Sequence, residues 1–142
     1  MIRKMDNADI DAVMNIWLKT NISAHDFIPE NYWVGNYHAV KGEYLPKCEN
    51  YIYESGNEIK AFVSVIDGNF IGALFVSSDC QGQGIGQSLI DYCKNMHKSL
   101  DVAVYKNNTS AIGFYKKLGF EIKKEQSNAS SKHAEYIMSW KK

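Results

Sequence analysis

The pattern of this chain predicts a mixed α/β fold. It is a mostly antiparallel, twisted sheet of about seven strands, with one parallel pair at its centre and about four helices. Three observations lead there. Two β-hairpins stand in a row: residues 51–53 and 58–66 flank the turn-rich Glu54-Ser55-Gly56-Asn57, and Asp67-Gly68 returns the chain into a strand starting at Phe70. A strand, a glycine-rich turn, a helix and another strand follow through residue 105, a β-α-β crossover that makes its two strands parallel. Helical stripes of apolar residues stand before, within and after these strands.

Taken in order, residues 2–5 form a short first strand. Asp6 or Asn7 supplies a side-chain oxygen to cap the helix that follows. Ile10, Val13, Met14, Trp17 and Leu18 mark its apolar face through about Thr20, with Trp17 read as core. Residues 21–46 are dense in aromatics, with Phe27, Tyr32, Trp33, Tyr37 and Tyr44. Pro29 suits the first turn of a second helix running to about Tyr44. Ile71, Leu74, Phe75 and Val76 give the fourth strand its apolar content, and Ser77-Ser78-Asp79 end it. Ile85, Leu89, Cys93 and Met96 recur at helical spacing, and the next strand covers residues 100–105. A last helix spans residues 111–118 and stops at Gly119. Strands at 120–124 and 134–140 flank a polar loop, residues 127–131.

At 142 residues and 45% hydrophobic content, the chain is expected to form one domain, residues 1–142, around one sizeable core. Sixteen basic residues balance sixteen acidic ones, which argues against nucleic acid as the main partner. No apolar run approaches the length needed to span a membrane. Charge at the start, Met1 to Asp6, is followed by no apolar stretch of a secretory signal. Cys48, Cys80 and Cys93 are odd in number and lack metal-ligand spacing, so reduced thiols in a cytoplasmic protein without a bound metal are expected.

The chemistry concentrates in Gln81-Gly82-Gln83-Gly84-Ile85-Gly86. Glycines there let a ligand approach the main chain, and the first N–H groups of the following helix lack internal partners and carry its positive dipole end. Such a turn suits a phosphate or pyrophosphate. Two common motifs fit poorly. A P-loop needs Lys-Ser or Lys-Thr after its last glycine, where this chain has Gln87-Ser88. A dinucleotide fingerprint needs a third glycine at position 87 and an acidic residue after the next strand, where Lys106 and Asn107 stand.

Gln81-x-x-Gly84-x-Gly86 instead resembles the Q/R-x-x-G-x-G/A pyrophosphate loop of the GNAT N-acetyltransferase superfamily. Asn108-Thr109-Ser110-Ala111-Ile112-Gly113-Phe114-Tyr115-Lys116-Lys117-Leu118-Gly119-Phe120 resembles the N-x-x-A-x-x-F-Y-x-x-x-G-F segment of the same superfamily. The resemblance covers most of the chain and is weakest before about residue 58. It implies a GNAT-like sheet whose parallel pair splays. It also implies acetyl-CoA as acyl donor and direct transfer to a primary amine in a ternary complex. The amine is that of a small molecule, a peptide N-terminus or a protein lysine. A homodimer is left open. A coenzyme A-binding sensor or interaction domain without turnover is the alternative.

The resemblance also implies site residues. Gln81, Gly82, Gln83, Gly84, Ile85 and Gly86 hold the pyrophosphate. Phe75 and Val76 pair their backbone with the pantetheine arm, and an N–H near them meets the oxyanion. Asn108 and Ala111 contact the donor from the last helix. Tyr115 gives its proton, or a hydrogen bond, to the departing thiolate. His25, Phe27, Trp33 and Tyr37 line the acceptor site, with His25 in a loop and titrating near neutrality. The general base is not identified; His25, Asp79 and Glu54 are candidates. Cys80 beside the loop lacks a base that would make it a nucleophile.

Overall fold

A computed structural model describes residues 1–142. Seven strands form one sheet: β1 (Ile2–Lys4), β2 (Glu49–Ser55), β3 (Glu58–Ile66), β4 (Phe70–Val76), β5 (Ser99–Tyr105), β6 (Glu121–Ser127) and β7 (Ala134–Lys141). Their spatial order is β1-β2-β3-β4-β5-β7-β6, and β4–β5 is the single parallel pair. Four α-helices complete the fold: α1 (Ile10–Ala24), α2 (Glu30–Ala39), α3 (Ile85–Met96) and α4 (Thr109–Lys117). None is long and apolar enough to cross a membrane.

Period-two alternation divides the buried side chains between two faces. On one face, Ala61, Val63 and Val65 of β3 join Leu100, Val102 and Val104 of β5 beneath Leu89, Ile90 and Cys93 of α3. On the other, Ile52, Phe62 and Ala73 meet Val13, Met14 and Trp17 of α1 and Trp33 of α2. Covering on both faces explains why Ala61–Val65 is buried without a gap. Each of the large side chains in these layers contributes about 1.5–3 kcal/mol by leaving water. The outermost strand, β6, is exposed throughout, and its Lys and Glu side chains guard the open edge.

Several expectations need adjusting. Helix α1 runs on past Thr20 to Ala24, because the buried Asn21 donates its side-chain amide to Trp17 O at 2.9 Å and so satisfies itself inside the helix. Pro29 sits just before α2 rather than in its first turn. The helix to Tyr44 is real but irregular: α2 ends at Ala39 and a π-helical turn, Val40–Tyr44, carries the chain on. Met96, expected on the apolar face of α3, is exposed. Strand β6 extends to Ser127, so the polar loop begins one residue later.

The site is positioned by a bulge. Ser64 pairs with Ala73 and Val65 with Ile71, so Gly72 is the extra residue in β4. Pairing between β4 and β5 is confined to Phe70–Asp101 and Ile71–Val102 and ends at that point. A bulge bends its strand. Tyr44, delivered by the π turn, presses on the same spot: a Cβ on Gly72 would lie 2.2 Å from its hydroxyl oxygen. Beyond Gly72, β4 stays with β3 and parts from β5.

Candidate functional site

The parting of β4 from β5 opens a cleft of about 970 Å³. At one end lies the turn before α3, where Gly84 begins the helix at φ +80°. No side chain caps α3, which leaves its first N–H groups free at the positive end of the dipole. A Cβ on Gly84 would meet nothing within 4 Å, so its backbone angle, not crowding, calls for glycine. Gly86 differs. A Cβ there would lie 3.3 Å from Phe114 Cζ and 3.6 Å from Val76 Cγ2, so its lack of a side chain also serves packing between α3 and α4. Gln81, Gly82 and Ile85 also line the cleft, whereas Gln83 does not.

In the middle, backbone polarity can be read from the register. Ser77 N–H donates to Lys60 O at 2.7 Å, and directly opposed residues of an antiparallel pair alternate between bonded and non-bonded. Phe75 opposite Phe62 therefore turns its N–H and C=O toward β3, while Leu74 and Val76 turn theirs toward the opening. Gln81 Nε2 donates to Val76 O at 3.1 Å, as that orientation requires. Of the two candidate backbone donors, Val76 faces the cleft and Phe75 does not.

Ala111 and Tyr115 reach the cleft from α4, one turn apart on the same face. Tyr115 is buried against Phe114 and Phe120, ring centroids 5.1 and 5.2 Å away. Burial, with a smaller effect of Cys93, holds its phenol well above the ordinary value near 10, so it stays protonated.

At the far end stands His25, in the loop after α1 as expected. It is the first residue beyond α1 and is buried, only 6% exposed, with rings of Trp33, Tyr105 and Phe27 centred 5.1–5.7 Å away. Asn108 caps α4 by accepting from Ala111 N–H at 3.1 Å through Oδ1. Its amide nitrogen is thereby turned to His25 Nε2, 3.2 Å away. Nδ2 can only donate, so Nε2 accepts and the proton of the neutral ring sits on Nδ1. Burial lowers the imidazole below its ordinary 6.5 in the same sense. With its lone pair engaged, His25 is poorly placed to take a proton from an amine. Its buried Nδ1 and Trp33 Nε1 both lack a partner, and both residues line the cleft. Two buried donors without acceptors suit a ligand oxygen.

Phe27 and Tyr37 do not reach the cleft. Phe27 packs on His133 and Tyr105, and Tyr37 on Trp17, so they build the wall rather than the surface. The other two candidate bases lie elsewhere. Glu54 is held by Arg3 at 3.2 and 3.3 Å. Asp79, its side chain 67% exposed, accepts from Ser77 Oγ at 2.7 Å and lies 3.8 Å from Lys60 Nζ. Burial and the neighbouring Asp79 raise the Cys80 thiol above its usual range, against a nucleophilic role. Sequence reasoning missed Asn128 and Glu135, which line the far end. The one signal was a carboxylate at a position of the last strand in phase with apolar Ile137.

Comparison with known proteins gives a consistent result. Residues 46–122 match the family model described as an acetyltransferase (GNAT) domain. The chain is 33% identical over 140 residues to peptidyl-lysine N-acetyltransferase YiaC of Escherichia coli K12, covering 99% of this chain and 96% of that protein. It is 27% identical to peptidyl-lysine N-acetyltransferase YjaB of Salmonella typhimurium, over 85% of this chain and 83% of that one. Among solved structures, apo YjaB from Escherichia coli superposes with a TM-score of 0.85 at 22% identity, covering 99% and 96% of the two chains. The PaiA N-acetyltransferase of Thermoplasma acidophilum, in complex with coenzyme A, gives 0.84 at 17%, covering 100% and 98%.

Proposed function

Because the chain belongs to the GNAT family and is an N-acetyltransferase that moves an acetyl group from acetyl-CoA to a primary amine, we propose that its acceptor is the Nε of a lysine in a peptide or protein. The observation that carries this is the relative named a peptidyl-lysine N-acetyltransferase, matched over nearly the whole of both chains. Residues 1–142 act as one catalytic domain, since one sheet carries both the glycine turn and the far end of the cleft.

The cleft suits the donor. The uncapped start of α3 and the backbone of Gly82, Gly84 and Gly86 receive the pyrophosphate. The outward-facing backbone of Leu74 and the N–H of Val76 offer polar groups that an extended pantetheine arm satisfies. Ala111 borders the same arm, and Asn108 fixes His25 while it caps α4.

The amine reaches the thioester from the α1–α2 side and attacks its carbonyl carbon without a covalent enzyme intermediate. Val76 N–H meets the negative charge that develops on the carbonyl oxygen, an interaction worth roughly 3 kcal/mol in comparable sites. As the C–N bond forms and the C–S bond breaks, Tyr115 donates to the departing sulfur. The acceptor ammonium loses two protons in all, one before attack and one after it. The second balances the proton delivered to sulfur.

The test is incubation with acetyl-CoA and a peptide bearing one lysine and a free N-terminus. Appearance of free coenzyme A thiol, with fragment mass spectrometry placing the acetyl group on Nε, is the expected result. Acetylation confined to the α-amine would overturn the lysine assignment.

A further inference from the structure

The far end of the cleft holds a carboxylate that the donor chemistry does not use. Glu135, the second residue of β7, stands opposite Tyr105 on the α1–α2 face and is 6% exposed. Its two oxygens are held separately: Asn128 Nδ2 donates to Oε1 at 2.9 Å and Gln126 Nε2 to Oε2 at 2.7 Å. Asn128 is itself fixed, because its Oδ1 accepts from the backbone N–H groups of Ser130 and Ser131, each at 2.9 Å. Those serines are tied down in turn. Tyr32 of α2 donates to Ser130 Oγ at 2.7 Å and Tyr105 of β5 to Ser131 Oγ at 2.9 Å. The carboxylate is therefore held rigidly on the cleft wall.

What it lacks is a counter-charge. Every ion pair in the chain forms elsewhere, and no lysine, arginine or histidine nitrogen comes within 4.0 Å of Glu135. Two neutral amide donors leave each oxygen a further lone pair. A buried carboxylate without a cation is costly, and a cationic ligand relieves that cost. The neighbouring rings of Trp33 and Tyr105 line the same cleft, a surface suited to a methylene stem that ends in an ammonium.

We propose that Glu135 is the residue that receives the acceptor's primary alkylammonium and selects a charged amine over a neutral one. This deepens the lysine reading and rests on it. A plain structural role, a strut across the β6–β7 hairpin, makes a different prediction about substrates.

Two synthetic peptides separate these. One carries a single lysine and a blocked N-terminus. The other replaces the lysine by its aminooxy isostere, a nucleophile that is neutral at pH 7. In Glu135→Gln, kcat/KM for the lysine peptide is expected to fall about ten- to a hundred-fold, mostly through KM. For the aminooxy peptide it should stay within about twofold. Glu135→Asp, which keeps the charge, should retain the preference for lysine. Calorimetric affinity for acetyl-CoA should be unchanged in both variants. Equal losses on both peptides, or no loss on either, would overturn the inference and leave Glu135 as a strut. If the wild-type protein binds acetyl-CoA yet acetylates neither peptide, the lysine reading itself falls and takes this inference with it.

Discussion

Tyr115→Phe removes one oxygen atom and nothing else. The ring packs edge-on between Phe114 and Phe120, contacts that a phenylalanine keeps, so stability should change by no more than about 1 kcal/mol. The hydroxyl matters only once charge gathers on the leaving sulfur. A hydrogen bond to a charged group is worth about 1.5–3 kcal/mol, which converts to a fall in kcat of roughly ten- to a hundred-fold. Burial holds the phenol above its ordinary value, so the hydroxyl stays protonated across the neutral range and activity should show no limb from its ionisation there. Because the interaction strengthens in the transition state, KM for acetyl-CoA should barely move. The assay is release of coenzyme A thiol at saturating acetyl-CoA, with single-turnover measurements to show that chemistry limits the rate. Wild-type kcat in the Phe variant under those conditions would refute the role of Tyr115 as proton donor.

Three other perturbations test the scaffold. Gly84→Val forces a β-branched residue to φ +80° and shields the N–H groups at the start of α3; calorimetry should show acetyl-CoA binding weakened more than about tenfold, with the circular dichroism spectrum preserved. Unchanged binding would remove the pyrophosphate assignment. Gly72→Ala sets a methyl group against the Tyr44 hydroxyl and should cost about 1–3 kcal/mol by chemical denaturation, part of it recovered by adding Tyr44→Phe; no loss would mean that Tyr44 does not hold the bulge. The third concerns pH. Burial keeps His25 below its ordinary 6.5, so below that pH the unfolded chain binds a proton that the folded chain resists, and stability falls as pH drops below 6.5. His25→Phe should flatten the decline in melting temperature of the ligand-free protein over that window, and parallel profiles would show that His25 is not its source.

The sequence determined the parts that depend on local chemistry. Asp67-Gly68 takes φ +57° and +86°, as a two-residue hairpin requires. Positive φ at Gly84 and the cap from Asn108 follow from residue types whose preferences act within a few positions. Seven strands, four helices and a parallel pair were legible for the same reason, since periodicity is a local property of the chain. Tertiary structure decided what depends on partners distant in sequence. His25 lies in the loop that its sequence suggests, but its burial, and the tautomer that Asn108 fixes from far along the chain, come only from the fold. Gly72 looks like any strand glycine until Tyr44 lies over it and the register of β3 leaves it unpaired. Phe75 and Val76 are equivalent as letters, and only the phase of hydrogen bonding with β3 tells which backbone faces the cleft. Glu135 has no local signature beyond its place in a strand. Its burial, its two amide donors and its missing counter-ion come from β6, the following loop and the cleft meeting around it. Backbone angle, capping and periodicity are set by neighbours in sequence, whereas desolvation and charge compensation are set by neighbours in space.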